Sequence, residues 1–139
     1  MLTARSRPTV APGAITRFSV TSPEGVTLTA DGAQARISPD GRNLAFSAAS
    51  ATGKASLWIR PLDSLVARPL PGTEDGALPF WSPDGRYLAY YGNGKLHKIA
   101  ISGGAPEVIC SSGDGRGGTW SREGVIVFAP QAAGPLFRV

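Results

Sequence analysis

The sequence predicts an all-β fold assembled from about three copies of one four-stranded antiparallel unit, and three observations predict it. The first is a turn. Ser38-Pro39-Asp40-Gly41-Arg42 returns unchanged as Ser82-Pro83-Asp84-Gly85-Arg86 and eroded as Ser121-Arg122-Glu123-Gly124-Val125. The second is what flanks it. Ala35-Arg36-Ile37 and Asn43-Leu44-Ala45-Phe46 surround the first copy, Leu78-Pro79-Phe80-Trp81 and Tyr87-Leu88-Ala89-Tyr90 the second, and all four read as short strands. The third is the period. Ser38, Ser82 and Ser121 stand 44 and 39 residues apart, and Leu57, Leu96 and Leu136 stand 39 and 40 apart. A period of roughly 40 to 45 residues holding several short strands is the signature of β-propeller blades.

The turn has a physical logic. Proline supplies the fixed φ of the second position of a type I turn, and aspartate tolerates the bridge region at the third. Glycine then takes the positive φ that the following bulge needs, and the leading serine can accept a backbone N–H. Gly41 and Gly85 are therefore expected at positive φ. Ser38, Pro39, Asp40 and Gly41, and likewise Ser82, Pro83, Asp84 and Gly85, are structural residues on this reading.

Taken in order, residues 1–14 are rich in Ala, Pro, Thr and Arg without periodicity and read as a flexible leader. Residues 15–139 read as the partial propeller. Ile15 to Val20 is a first strand, Ser22-Pro23-Glu24-Gly25 a related turn, and Val26 to Thr29 a short strand or an extended connection. The first blade covers about 33–70, with Leu44 to Phe46 as its second strand, Leu57 to Arg60 as its third and Ala67 to Leu70 as its outer strand. Ser47 to Ser56 is small and polar and reads as the loop between the second and third strands. In the second blade, about 77–110, the same link shrinks to Gly92-Asn93-Gly94, a tight hairpin. Ser102 to Pro106 then turns into an outer strand at Pro106 to Ile109. The third blade covers about 117–139 and lacks its outer strand. Leu44 to Phe46, Leu88 to Tyr90 and Val125 to Phe128 are continuously apolar, as strands in sheets covered on both faces are.

Composition bounds the rest. The 139 residues hold 18 Gly and 12 Pro, which suits a turn-rich β protein, and 42% hydrophobic residues, too many for a disordered chain. About three repeats fall short of the roughly four to eight blades of a closed ring, so the chain is expected to be part of something larger. The net charge of +4 comes from 14 Lys and Arg spread along the whole length, a dispersed basic surface rather than a nucleic-acid footprint. Cys110 is the only cysteine and His97 the only histidine, so neither a disulfide nor a Cys/His metal set is expected. No apolar run is long enough for a signal peptide or a membrane-spanning helix, and no membrane insertion by this chain is expected.

The chemistry-bearing residues favour packing roles. His97 occupies the repeat position of Trp58 and Phe137. Trp81 and Trp120 occupy that of Ile37, which points to wedges between neighbouring blades. Asp40 and Asp84 sit where aspartate serves its own turn. No nucleophile elbow, kinase loop or phosphate loop is present, so no catalytic, cofactor-binding or metal-binding residue is assigned. Ser111 to Gly118 is the most glycine-dense loop and reads as a blade-to-blade connector. Asp114 and Arg116 within it are the residues expected to face a ligand if any do.

The turn, the apolar strand ending in an aromatic residue, the Leu57-Trp58-Ile59-Arg60 or Leu96-His97-Lys98-Ile99 strand and the short outer strand resemble the WD-type blades of TolB-like propellers. Leu57-Trp58-Ile59-Arg60-Pro61-Leu62-Asp63, Pro71-Gly72-Thr73-Glu74, Pro79-Phe80-Trp81 and Gly115-Arg116-Gly117-Gly118-Thr119-Trp120 resemble, more narrowly, the propeller that follows the kinase domain in some bacterial membrane serine/threonine kinases. The resemblance runs from about Ile15 to Val139. It implies a non-catalytic binding or sensor module that takes a protein, peptide or small ligand, usually outside the cytoplasm. Two alternatives stand beside it: the propeller of a prolyl-oligopeptidase-type peptidase without its hydrolase domain, and a truncated product with no function of its own. In TolB-like propellers a terminal strand commonly closes the ring, so Ile15 to Val20 is expected to complete a third blade. Two copies would then make a homodimer with a six-blade ring.

Overall fold

A computed structural model describes Ser19, residues 21–28 and residues 35–139. The expected leader, and the expected strand over 15–20 apart from Ser19, lie outside the described residues. Twelve strands and no helix are seen among those described. They are β1 (Val26–Leu28), β2 (Arg36–Ile37), β3 (Asn43–Ser50), β4 (Ala55–Pro61), β5 (Arg68–Pro69) and β6 (Ala77–Trp81). Then follow β7 (Tyr87–Gly92), β8 (Lys95–Ala100), β9 (Glu107–Ser111), β10 (Gly118–Trp120), β11 (Ile126–Phe128) and β12 (Phe137–Arg138). They form three antiparallel sheets: the first holds β1 to β5, in the order β1-β3-β4-β5 with β2 also paired to β3, and the second (β6 to β9) and third (β10 to β12) have consecutive strands as neighbours. This is the all-β architecture expected, three blades of which the third has three strands.

The repeat survives at the level of register. Phe46 lies opposite Trp58, Tyr90 opposite His97 and Phe128 opposite Phe137. One aromatic pair thus recurs in every blade. On the inner edge Ile37 faces Leu44, Trp81 faces Leu88 and Trp120 faces Ile126.

Two sequence expectations change in the first blade. The residues from Ser47 to Ser56 are not mainly a loop, because β3 runs on to Ser50 and pairs through Ala49 opposite Ala55. Val26–Leu28, left open by the sequence between a strand and a connection, is a strand that pairs with Ser50 to Ala48, along the same edge of β3 that β2 uses at Ala45 and Leu44. The first blade's inner edge is therefore built from two pieces. Small side chains at Ser47, Ala48 and Ala49 hid this, since they carry little strand propensity but fit a crowded sheet interior. In the second blade one strand, β6, does the same work, with a bulge between Ala77 and Phe80.

Both faces of the central blade are buried. Leu88, Tyr90 and Ile99 pack with Ala45, Leu57, Ile59 and Leu70 of the first blade and with Trp81. Ala89, Tyr91, Leu96 and Phe80 pack on Ile126 and Phe128 of the third. Alternate residues of β7 thus serve opposite interfaces, which is why no polar alternation marks it in the sequence. No strand of the first sheet touches a strand of the third, so the described residues make an open arc. Among them no helix is long and apolar enough to cross a membrane.

Candidate functional site

The three repeated turns follow one another along one rim of the arc, the first touching the second and the second facing the third. In the first, the Ser38 hydroxyl donates to Asp40 Oδ1 (2.5 Å) and accepts the Asn43 N–H (2.9 Å), while Asp40 Oδ1 also accepts the Arg42 N–H (3.0 Å). The second repeats this network. Ser82 donates to Asp84 (2.6 Å) and accepts the Tyr87 N–H (2.9 Å), and Asp84 accepts the Arg86 N–H (3.0 Å) and its Nε–H (2.7 Å). Gly41 and Gly85 hold φ of +72° and +69°, as the turn chemistry requires. The hydroxyl of Ser82, followed by the amide and guanidinium of Arg86, keeps the Asp84 carboxyl far below the usual carboxylate range. Both aspartates are occupied by their own turns.

The third turn differs in a way the sequence alignment obscures. Ser121 N–H donates to the Val125 carbonyl four residues on, whereas Ser38 and Ser82 reach Asn43 and Tyr87, five residues on. Gly124 N–H still bonds to the Ser121 carbonyl, as Gly41 does to Ser38 and Gly85 to Ser82. The missing residue is therefore the one after glycine, the place of Arg42 and Arg86, and Val125 stands where Asn43 and Tyr87 do.

A consequence is visible between the blades. A Cβ on Gly85 would lie 3.8 Å from Pro39 Cδ of the preceding turn, so the first and second turns touch, whereas a Cβ on Gly124 would meet nothing within 4 Å. The second and third turns stand apart. Between them lies a cleft of about 480 Å³ lined by Ser82, Pro83, Asp84, Tyr87, Trp120, Ser121, Arg122 and Gly124. Sequence reasoning missed this cleft. Its signal was the one-residue shortening of the third turn.

Trp81 and Trp120 illustrate the difference. Trp81 is buried between the first two blades, and its indole N–H donates to the Arg36 carbonyl of the first blade at 2.8 Å. Trp120 packs against the second blade's core from the same repeat position but donates no hydrogen bond among the described residues, and it lines the cleft. Ile37, which completes the trio, is 55% exposed, because no described blade precedes it. Wedge packing thus holds for the tryptophans and not for Ile37.

On the other rim of the arc, the glycine-rich segment 112–117 joins β9 to β10, as a connector should. Two glycines here are needed for packing: a Cβ on Gly115 would fall 2.3 Å from the Tyr91 ring, and one on Gly118, at the start of β10, 2.8 Å from Phe80. Burial pushes the Tyr91 phenol up to about 12, so it stays protonated and donates to the carbonyls of Gly117 (2.9 Å) and Ala129 (3.2 Å). Asp114 and Arg116 are both exposed, but they make no ion pair with each other. The Arg116 guanidinium turns back to its neighbour's carbonyl, that of Gly115, at 2.7 Å.

His97 lies in the packing position expected from the repeat. Its ring stacks on Tyr90 at 5.2 Å between centroids and 17° between planes, and Nε2 is 3.1 Å from the Gly92 carbonyl oxygen. Cys110 is a free thiol, half-buried beside the second core, and burial raises its pKa. Among the described residues no group of three or more His, Cys, Asp or Glu side chains is placed to hold a metal ion.

Comparison with solved structures places this architecture. The chain is similar to a protein assigned as TolB from Agrobacterium tumefaciens, with 24% identity, a TM-score of 0.63, and coverage of 81% of this chain and 45% of that one. It is also similar to TolB from Acinetobacter baumannii, with 23% identity, a TM-score of 0.57, and coverage of 75% of this chain and 28% of that one. A third likeness is to the β-propeller domain of the Trilobed protease from Pyrococcus furiosus, described as having an open velcro topology. There the identity is 16%, the TM-score 0.57, and the coverage 76% of this chain and 34% of that domain. The chain spans less than half the length of each. No family model matches it, and no curated protein matches it. At these identities the likeness shows the fold, part of a β-propeller.

Proposed function

We propose that this chain is a binding or sensor module without catalysis of its own, part of a larger TolB-like or kinase-associated propeller, and that it takes a protein or peptide partner. One observation carries the reading: an aromatic-lined cleft opens between the second and third turns, whereas the first and second turns approach each other at Pro39 and Gly85. A departure from an otherwise regular repeat is where a propeller gains a site, since the fold itself hosts many activities. The chemistry-bearing side chains support the non-catalytic part. Asp40, Asp84 and His97 are each consumed by a turn or a stack. The test is an array of diverse peptides probed with the full chain. A shared motif among the bound peptides is expected; absence of any peptide binding would overturn the reading, and so would ester or peptide turnover that is lost in His97→Ala.

The likeness to a protease propeller favours one second reading, the propeller of a prolyl-oligopeptidase-type enzyme. Sequencing the DNA on either side separates the two. A kinase-domain or other non-hydrolase neighbour agrees with the first reading, and a hydrolase domain agrees with the second.

A further inference from the structure

We propose that the cleft between the second and third turns binds an extended, proline-rich peptide carrying an acidic residue, an inference that rests on reading the chain as a peptide-binding module. The shape comes first. Pro83, Tyr87 and Trp120 line the cleft with three rings, and its remaining lining is short or polar: Ser82, Asp84, Ser121, Arg122 and Gly124. A polyproline II helix is rigid before it binds, so it loses little entropy on docking, and its rings lie flat on aromatic side chains.

Hydrogen bonding comes second. A polyproline helix has no internal hydrogen bonds and presents its carbonyls outward. Among the described residues the Trp120 indole N–H has no partner, while the same donor on Trp81 is tied to the Arg36 carbonyl. Trp120 is thus the one of this repeat pair able to donate to a peptide carbonyl. Tyrosine and tryptophan suit such a place because each offers an apolar body and a polar tip.

Charge comes third and selects the acid. On the same rim of the arc Arg86 is held by Asp84 at 2.7 Å, and Lys98 beside the cleft is held by Glu107 at 3.1 Å. Arg122, on the wall of the cleft and exposed, has neither ion pair nor side-chain hydrogen bond among the described residues. A carboxylate on the peptide completes it. A neutral glycan would stack on the same rings but leave this guanidinium unanswered.

The test is fluorescence anisotropy of the full chain with labelled Ala-Pro-Pro-Leu-Pro-Pro-Asp-Glu and with the same peptide ending in Asn-Gln. Saturable binding of the acidic peptide is expected, about fivefold weaker for the neutral one. Arg122→Glu should remove that preference, and Trp120→Phe should weaken both about tenfold, since it keeps a ring but loses the donor. Inserting an arginine between Gly124 and Val125, which restores the length of the other two turns, should close the cleft and abolish binding while the chain melts as before. Equal binding by the parent chain, Trp120→Phe and Arg122→Glu would overturn the proposal, as would binding of cellohexaose but not the peptide. If other peptides from the array bind and none of these variants affects them, the module reading stands and this site falls. If no peptide binds in either assay, both fall.

Discussion

Ser38 and Ser82 each make two bonds through one hydroxyl oxygen, one to a carboxylate and one from a backbone amide, and that small network fixes the turn that repeats along the chain. It also makes stability depend on pH. Asp40 is held below the ordinary carboxylate range by the Ser38 hydroxyl and then the Arg42 amide, and Asp84 by the corresponding groups of its own turn. Because the folded pKa lies below the unfolded one, the folded chain gives up its protons more readily, and the contribution is fully present above about pH 4. It is lost as the pH falls from there through the folded values. Both carboxylates are exposed, so the effect is a slope rather than a collapse. The melting temperature of the parent chain is expected to fall as the pH drops below about 4, and that of an Asp40→Asn, Asp84→Asn double variant to start lower and fall less. Parallel curves would show that these turns do not contribute.

At the scale of strands, the aromatic pair that spans the second and third strand of each blade organises the element. Phe46 with Trp58, Tyr90 with His97 and Phe128 with Phe137 hold one register position in three sheets, and the last pair has ring centroids 6.0 Å apart. Cross-strand aromatic pairs stabilise a sheet by roughly 0.2–1 kcal/mol beyond alanine, and removing a ring from a packed site adds a cavity term. His97→Ala should therefore destabilise the chain by about 1 kcal/mol or more. His97→Phe, which restores the residue found at position 137, should cost less, although it leaves the Gly92 carbonyl without its partner. Urea unfolding midpoints check the order, and a phenylalanine variant less stable than the alanine variant would contradict it.

For the whole molecule, three sheets stacked face to face make an arc with two unlike ends. At one end Ile37 is exposed; at the other Leu136, Phe137 and Val139 are exposed along the last described strand. Edges of this kind recruit further strands or further copies. The arrangement proposed for the free chain is a two-fold dimer in which residues 15–20 of each copy complete the third blade of the other, giving six blades. Light scattering at micromolar concentration is expected to give a dimer that becomes a monomer when residues 1 to 20 are removed. A monodisperse monomer, or a dimer indifferent to the deletion, would rule out strand exchange.

The repeat was legible in the sequence because its physics is local. A serine, proline, aspartate and glycine in order specify a turn wherever they stand, and the strand on either side of a tight turn follows from a few neighbouring residues. From that came three blades, the positive φ at Gly41 and Gly85, and the packing role of His97. What the sequence could not give depends on how separate blades meet. Ser47 to Ala49 read as a loop because small residues carry little signal, and only the pairing of β1 with β3 makes them interior. Asp114 and Arg116, two residues apart on a loop that looked like a site, make no ion pair, because the Arg116 guanidinium turns back onto the Gly115 carbonyl. The cleft beside Trp120 lies where the third turn is one residue shorter than the second, and it appears only once the two turns stand side by side. Two tryptophans at one repeat position, one sealed and one open, are indistinguishable until the neighbouring blade is in place.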